Sequence, residues 1–258
     1  TMYEDRLENG LGVFVFSKPE LRKSYAFFAT RYGGMDTRFQ LDGHWLDTPM
    51  GIAHYLEHKM FDMPDGGNAL QTLSATGASP NAFTSTAITG YHFECTEGFW
   101  ENLRTLLSFV SVPYFTKESV EKEQGIIGQE IRMIEDRPGW QAYHRLLEAL
   151  YEHHPVRNSV AGSVESIAQI TAETLYHCHE AFYTPSNMVL CVAGNVDPEQ
   201  VCAMAREILP KEAKPTIPRD HGSNEPSQVY CQEDVLTMEV AAPLLQIGVK
   251  LQAAHDGP

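Results

Sequence analysis

The order in which strand and helix signals follow one another most constrains the fold of this 258-residue chain. Strand signals, rich in aromatic and β-branched residues, come in groups, and sets of helix signals separate those groups. A doubly wound parallel sheet would instead alternate one strand with one helix. The order therefore predicts an α+β fold, in which helices pack on a mostly antiparallel sheet.

The periodicity of apolar residues, together with the residues that begin or end helices and form turns, predicts where the elements lie along the chain. Strands are expected at residues 11–16, 25–30, 81–93, 188–193 and 244–251. Helices are expected at residues 51–61, 68–75, 98–112, 117–135, 139–152, 171–182 and 197–208. Residues 35–50 are predicted to form a loop. Residues 210–228 are predicted to be a linker between a domain at 1–209 and residues 229–258, which would start a following domain or supply a closing strand.

His54, Glu57 and His58 fall within one predicted helix, in the run His-Tyr-Leu-Glu-His. Residues four apart lie one helical turn above each other, so both imidazoles can reach one metal ion. Zinc accepts such ligands and lowers the pKa of a bound water to about 7, and Glu57 would serve as the general base on that water. The structural alternative is coincidence, because surface His–Glu pairs at helical spacing are common. The five residues alone leave both interpretations open.

A second predicted helix, at residues 117–135, carries two carboxylates among isoleucines. Glu123 and Glu130 share one face with Ile127 and Ile134. Burying an ionised carboxylate is costly unless a cation or a hydrogen-bond network compensates. Glu130 is therefore a candidate third ligand, and Glu123, two turns earlier, could orient a ligand through a hydrogen bond. The alternative is a partly buried helix with both glutamates in water.

The ordered motifs resemble those of the pitrilysin/insulinase family of metallopeptidases, which carry this inverted His-x-x-Glu-His arrangement. The resemblance rests on residues 54–61, on Gly-Ala-Ser-Pro-Asn-Ala-Phe-Thr at 77–84, and on the interval from Glu123 to Glu130. Shorter matching pieces lie at 9–11, 154–156, 162, 183–188 and 194–197. The resemblance runs from about residue 8 to residue 205 and is closest to compact bacterial members related to the mitochondrial processing peptidases.

The resemblance implies a zinc-dependent endopeptidase that cleaves peptides or unfolded segments, with Glu57 as general base and Glu123 as a supporting carboxylate of the catalytic site. The implied zinc ligands are His54, His58 and Glu130. Glu135 is an alternative third ligand, but the seven-residue interval from Glu123 favours Glu130. The implied substrate-binding residues form an edge strand that an extended peptide would join, and they are Asn81, Ala82, Phe83 and Thr84.

Members of this family resemble clamshells of two halves, each built from two related α+β units. The resemblance makes residues 1–209 the zinc-binding catalytic domain, the metal-bearing unit of such a clamshell. A C-terminal half, a homologous partner subunit or a second copy of the chain would complete the chamber, so the chain alone is expected to cleave poorly. The alternative function is a non-catalytic scaffold or partner subunit with a structural zinc, although such a subunit has no need of Glu57.

Composition and charge indicate which other partners are disfavoured and which cellular compartment is expected. The formal net charge of −15 disfavours duplex nucleic acid and anionic membrane surfaces as partners. No apolar run reaches the roughly 18 residues of a membrane-spanning helix, and the start of the chain lacks the layout of a signal peptide. The five cysteines are scattered, without a Cys-x-x-Cys pair, which predicts reduced thiols and a cytoplasmic location.

Overall fold

The computed structural model describes residues 2–222 and 224–251. Its strands are β1 Met2–Arg6, β2 Gly12–Ser17, β3 Ser24–Thr30, β4 Arg38–Leu41, β5 His44–Asp47, β6 Ser79–Thr84, β7 Thr89–Cys95 and β8 Met188–Gly194. Its helices are α1 Ile52–Lys59, α2 Ala69–Ala75, α3 Phe99–Ser111, α4 Lys117–Glu135, α5 Pro138–Leu150, α6 Val164–Ile167, α7 Ala172–Phe182 and α8 Pro198–Ile208. Short 3-10 turns lie at Pro155–Arg157 and Pro185–Asn187.

Six strands form one sheet in the order β1-β2-β8-β3-β7-β6, while β4 and β5 form a separate hairpin. Within the large sheet β2 and β8 run parallel, and the other four neighbouring pairs are antiparallel. The central strand β3 pairs Phe28 with Tyr91 on one side and with Leu190 on the other. This architecture confirms the predicted α+β class with a mostly antiparallel sheet.

Helices cover one face of the sheet, and the core lies between the two layers. Alternate residues of a strand point to the same face, and those of the covered face are Val13, Val15, Ala26, Phe28, Tyr91, Phe93, Leu190 and Val192, all buried. Side chains of the opposite face remain accessible, with Phe16, Tyr25 and Phe83 exposed by 42%, 38% and 41%. Helix α1 packs against β6 and β7, so the helix that carries the histidines lies beside the edge strand.

The predicted strand at 81–93 is wrong in extent, because it is a hairpin of β6 and β7. The turn at residues 85–88 has the sequence Ser-Thr-Ala-Ile and lacks the glycine, asparagine or proline that normally marks a turn. The Ser85 side chain takes over that role. Its hydroxyl oxygen accepts hydrogen bonds from the backbone N–H groups of Ala87 and Ile88, at 3.3 and 3.1 Å.

The predicted loop at 35–50 is also wrong, because it contains the hairpin of β4 and β5. Asp42 and Gly43 form its turn with φ values of 50° and 78°. An Asp-Gly pair with two positive φ values is a favoured two-residue hairpin turn, so the signal was present in the sequence. Strand β1 and the short helix α6 were likewise not predicted.

The predicted strand at 244–251 is not formed. A strand needs a hydrogen-bonding neighbour, and among the described residues none pairs with this segment. Gly248 instead approaches Leu146 and Leu150 of α5, and the Lys250 ammonium donates to the Leu150 carbonyl at 3.2 Å. The division at 209 and 228 stays a prediction, and residues 252–258 of the last predicted segment lie outside the described residues. None of the described helices is long and apolar enough to cross a membrane.

Candidate metal centre and active site

The start of α1 is held by α6 and by the residues that precede it. Gly51, which precedes the helix, has φ +89°, and a Cβ there would lie 2.5 Å from the carbonyl oxygen of Ala161. Only glycine combines this left-handed conformation with so close an approach. The Ser166 hydroxyl donates to the carbonyl of Met50 at 2.8 Å and fixes the same turn. The orientation of α1, and hence of its histidines, follows from these contacts.

Helices α1 and α4 bring together the three side chains predicted as metal ligands. One donor atom each of His54, His58 and Glu130 lies within 4.8 Å of the other two. Glu130 Oε1 lies 3.7 Å from His54 Nε2, and Glu130 Oε2 lies 3.5 Å from His58 Nε2. Glu135, the alternative third ligand, is exposed and is not part of this group.

The two histidines differ in their electrostatic surroundings. Burial, reinforced by the adjacent His58, lowers the pKa of His54 to about 4, so this imidazole is neutral. Burial also opposes protonation of His58, but its hydrogen bond to Glu123 and the charges of Glu57, Glu123 and Glu130 outweigh that effect and raise its pKa. A neutral imidazole is the form that binds a metal, and His54 is held in it.

Glu123 contacts the outer nitrogen of His58. Glu123 Oε1 lies 3.1 Å from His58 Nδ1, which leaves His58 Nε2 facing Glu130. The hydrogen bond with His58 lowers the pKa of Glu123 against the effect of burial, so the carboxylate is ionised. A carboxylate on the far nitrogen of a ligating histidine fixes its tautomer and its ring orientation. The structure thus brings Glu123 to the position that the sequence suggested.

Two residues near the histidines were not singled out from the sequence. Lys59 is 2% exposed, and its Nζ lies 2.6 Å from Asp62 Oδ2 and 3.6 Å from Glu123 Oε2. The Tyr55 hydroxyl donates to the backbone carbonyl of Val120 and ties α1 to α4. The helical pattern placed Tyr55 near the apolar stripe, but it contains no signal that a lysine at the helix end is buried.

Glu57 lies on α1 where the helix meets the edge strand. The carboxylate is 7% exposed, and its Oε2 accepts a hydrogen bond of 2.7 Å from the Thr84 hydroxyl. Burial raises the pKa of Glu57, while the Thr84 hydrogen bond and the charge of His58 act in the opposite direction. A buried carboxylate with a raised pKa next to a donor set for a metal is suited to proton transfer.

Strand β6 contains the four residues predicted to bind substrate, and among the described residues it has a neighbouring strand, β7, on one side only. Asn81 and Phe83 are exposed, while Ala82 and Thr84 are half-buried. The backbone N–H of Ala82 donates to Asn81 Oδ1 at 2.9 Å. A side chain therefore satisfies a backbone donor at the edge of the sheet, two residues before Thr84, which contacts Glu57.

A cavity of about 260 Å³ opens beside the candidate ligands. It is lined by His54, Thr84, Thr86, Glu130, Ile134, Trp140, Tyr143, His144, Leu147 and residues 156 and 158–161. Helix α5 contributes its aromatic side chains. No local sequence pattern connects α5 with the site, because α5 reaches the cavity through tertiary packing, including its contact with α4.

The donor set fits zinc. Two imidazoles and one carboxylate are the ligands of catalytic zinc sites that keep a fourth position open for water or substrate. His54 is neutral, and His58 is oriented by a carboxylate on its other nitrogen. The structure thus brings together all five predicted metal-site and catalytic residues, and it places the predicted substrate strand next to them.

Two family models match adjacent parts of the chain. Residues 42–164 match the insulinase family, peptidase family M16, and residues 169–256 match the peptidase M16 inactive domain. The first range includes both helices that carry the candidate ligands.

The chain is 45% identical over 255 residues to the uncharacterized zinc protease YmfH of Bacillus subtilis, an alignment that covers 97% of this chain and 59% of YmfH. It is 34% identical over 164 residues to an uncharacterized zinc protease of Mycobacterium leprae, covering 62% of this chain and 37% of that protein. An M16-like peptidase of Alicyclobacillus acidocaldarius has a similar structure, with a TM-score of 0.83 and 42% identity over 90% of this chain and 55% of the other. The chain therefore spans about half the length of these relatives.

The ordered motifs, the fold and the two family matches agree with one another. The resemblance proposed from residues 54–61, 77–84 and 123–130 is confirmed by a match that includes all three segments. The chain belongs to the insulinase family of peptidases, family M16.

Proposed function

We propose that this chain supplies the catalytic zinc site of an endopeptidase that hydrolyses peptides or unfolded segments. The observation that carries the proposal is the convergence of His54, His58 and Glu130 beside Glu57, at the point where α1 meets the free edge strand β6. The relatives that are named zinc proteases support zinc as the metal.

In this proposal His54, His58 and Glu130 hold the zinc ion, and Glu123 orients His58. Zinc bound there would act as a Lewis acid that polarises a peptide carbonyl and activates water. The neutral state of His54 favours binding, because no proton must be displaced from that ring.

Glu57 is the proposed general base. The Thr84 hydroxyl occupies Glu57 Oε2, so we assign Glu57 Oε1 to accept a proton from the attacking water. The water oxygen then bonds to the carbonyl carbon of the scissile peptide. Glu57 returns the proton to the amide nitrogen as the carbon–nitrogen bond breaks. A raised pKa suits this second step, because it makes Glu57 a better proton donor.

Strand β6 is the proposed docking site for the substrate backbone. An extended peptide that pairs with Asn81, Ala82, Phe83 and Thr84 would gain main-chain hydrogen bonds that depend little on its sequence. The Ala82 N–H, now satisfied by the Asn81 side chain, is a donor that a substrate carbonyl can take over. The cavity lined by Trp140 and Tyr143 lies beside this strand and would receive a substrate side chain.

The variant Glu57→Gln tests the function. General-base catalysis contributes about 100- to 10,000-fold, so hydrolysis of a panel of quenched fluorescent peptides should fall by at least about 100-fold. Zinc content should be unchanged, because Glu57 is not a proposed ligand. Glu101→Gln, which alters an exposed glutamate of α3, serves as the matched control and should retain activity. Full activity in Glu57→Gln would contradict the assigned role.

We also propose that full activity requires more than this chain, namely a C-terminal half, a homologous partner subunit or a second copy. The chain spans 59% of YmfH, and its residues 169–256 match a domain named inactive. Turnover of the 258-residue chain should therefore be well below that of a longer or co-expressed form. Equal turnover of the two forms would contradict this part of the proposal.

A non-catalytic subunit with a structural zinc is the second candidate function, and the match to the inactive domain is the observation that favours it. A structural zinc is fully coordinated and exchanges slowly, whereas a catalytic zinc keeps an open position. Binding of a small zinc-directed hydroxamate to the zinc-loaded chain separates the two candidates. The endopeptidase should bind it, and a closed structural site should not.

A further inference from the structure

The Lys59 ammonium is buried beside the candidate metal centre. Lysine is almost never fully buried unless its charge is paired, because removing the ammonium from water is energetically costly. Lys59 is 2% exposed and has two carboxylate partners, Asp62 at 2.6 Å and Glu123 at 3.6 Å. One partner follows α1 in the chain, whereas the other belongs to α4.

The two oxygens of Glu123 have different partners. Oε1 lies 3.1 Å from His58 Nδ1, and Oε2 lies 3.6 Å from Lys59 Nζ. A continuous set of contacts therefore runs from Asp62 through Lys59 and Glu123 to His58. His58 Nε2, at the end of this set, lies 3.5 Å from Glu130 Oε2.

The positive charge matters because carboxylates surround this region. The negative charges of Glu57, Glu123 and Glu130 all lie close enough to affect His58, and Asp62 lies on the far side of Lys59. Without the ammonium, Glu123 would face like charges and could lower its free energy by turning toward water. The contact between Tyr55 and Val120 holds the two helices together, but it does not involve the Glu123 carboxylate.

We propose that Lys59 is a positioning residue of the metal centre, which holds Glu123 in place and through it fixes His58 with Nε2 directed at Glu130. The inference rests on the zinc site of the proposed function. It predicts that zinc affinity depends on a residue that does not touch the metal.

The variant Lys59→Met removes the charge and keeps a long unbranched side chain. Loss of such outer partners typically weakens metal binding about 10- to 100-fold, and we expect a loss in this range. The affinity of the metal-stripped chain for Zn²⁺ is measured at pH 7 by competition with a chromophoric chelator. Lys117→Met is the control, because this lysine of α4 is 86% exposed and contacts only Glu121 among the carboxylates of the described residues. Its affinity should equal that of the wild type.

A double-mutant cycle with Glu123→Gln separates positioning from a general structural effect. If Lys59 acts through Glu123, Lys59→Met should lower the zinc affinity by less than about threefold when it is introduced into the Glu123→Gln variant. Equal losses in the two backgrounds would overturn the inference. Should Lys59→Met fail to fold, Lys59→Gln removes the same charge but keeps a polar end that can donate a hydrogen bond to Asp62 or Glu123, and it gives the same test.

Wild-type zinc affinity in Lys59→Met, or in Lys59→Gln if Lys59→Met does not fold, would likewise overturn the role of Lys59 and leave the zinc site intact. A wild-type chain that binds no Zn²⁺ would overturn the proposed function, and this inference with it. The two failures are therefore distinguishable in one set of titrations.

Discussion

At the scale of single residues, His58 is the side chain with the most constrained surroundings in the candidate site. Each of its ring nitrogens faces a carboxylate, Nδ1 toward Glu123 and Nε2 toward Glu130. Because the two glutamates lie two turns apart on α4, this one helix supplies the carboxylates that face both ring nitrogens of His58. His54 has no comparable support, and its Nδ1 has no hydrogen-bond partner among the described residues.

The choice between Glu130 and Glu135 as third ligand gives the first prediction at this scale. Glu130→Gln should reduce zinc retained after dialysis to a small fraction, because a neutral amide is a poor zinc ligand compared with a carboxylate. Glu135→Gln should retain the wild-type amount, since Glu135 is exposed and outside the donor group. The measurement is metal content by mass spectrometry after equal dialysis. The opposite ranking would reassign the ligand.

The candidate site residues on α1 can be proposed from the sequence, whereas some of the residues that contact them cannot. His54, Glu57 and His58 are recognisable because helical spacing converts a short pattern into a three-dimensional one. The Thr84 hydroxyl on Glu57 and the Lys59 ammonium on Glu123 depend on contacts between elements far apart in the chain. No local pattern records such contacts, so their roles emerge only from the fold.

At the scale of elements, two glycines illustrate opposite demands. Gly51 begins α1 with a positive φ and lies against the Ala161 carbonyl. Gly125 lies in the middle of α4, where a Cβ would meet no atom within 4 Å. The first glycine is required by geometry, whereas the second weakens a helix that carries two residues of the site.

The same substitution should therefore have opposite effects at these positions. Gly125→Ala should raise the free energy of unfolding by about 0.5–1 kcal/mol, through helix propensity. Gly51→Ala should lower it by at least about 1 kcal/mol, because the backbone is strained and the methyl group has no room. Urea denaturation of the metal-free chain measures both changes. Destabilisation by Gly125→Ala would show that the exposed side of α4 has a contact that the structure lacks.

Elements were predictable where periodicity is long and poorly predictable where a turn is short. The 19-residue helix α4 was predicted with its observed bounds, because Thr116 caps its start and the apolar stripe spans five turns. The turn between β6 and β7 was missed, since a serine side chain replaces the usual turn residues. Pairing of β2 with β8 could not be predicted, because nothing local relates strands so far apart in sequence.

At the scale of the whole molecule, Asp36 links the segment after α8 to the body of the fold. Its side chain is fully buried and accepts hydrogen bonds from Arg219 at 3.1 Å, from His221 at 2.8 Å and from the Gly33 N–H at 2.9 Å. Arg219 also lies over the Phe182 ring, 4.9 Å from its centroid. Residues 218–220 pair with β4 through two backbone hydrogen bonds. The predicted linker thus has a fixed course at this point.

Loss of this link should destabilise the protein more than loss of a surface ion pair. Asp36→Asn leaves the largely buried Arg219 without its counter-charge and should cost about 3 kcal/mol in urea denaturation. Asp47→Asn is the control, because Asp47 pairs with Arg38 at 2.6 Å but is 72% exposed, and it should cost less than about 1 kcal/mol. Similar losses of unfolding free energy in the two variants would show that the buried contacts of Asp36 contribute no more to stability than a surface ion pair.

The insertion of β8 between β2 and β3 has a consequence for biosynthesis. The β1–β2 hairpin and the β3–β7–β6 unit share no ladder without β8, which is completed only at Gly194. Synthesis from the end of β7 at Cys95 to the end of β8 at Gly194 takes on the order of five to twenty seconds at roughly 5–20 residues per second, and during that time the sheet is in two pieces. Ribosome-bound chains that end before residue 188 should stay sensitive to protease, whereas chains with residue 194 outside the exit tunnel should become resistant. Resistance at the shorter length would mean that the two pieces fold independently. If the shorter chains stay sensitive, both pieces need protection in the cell until β8 has been synthesised.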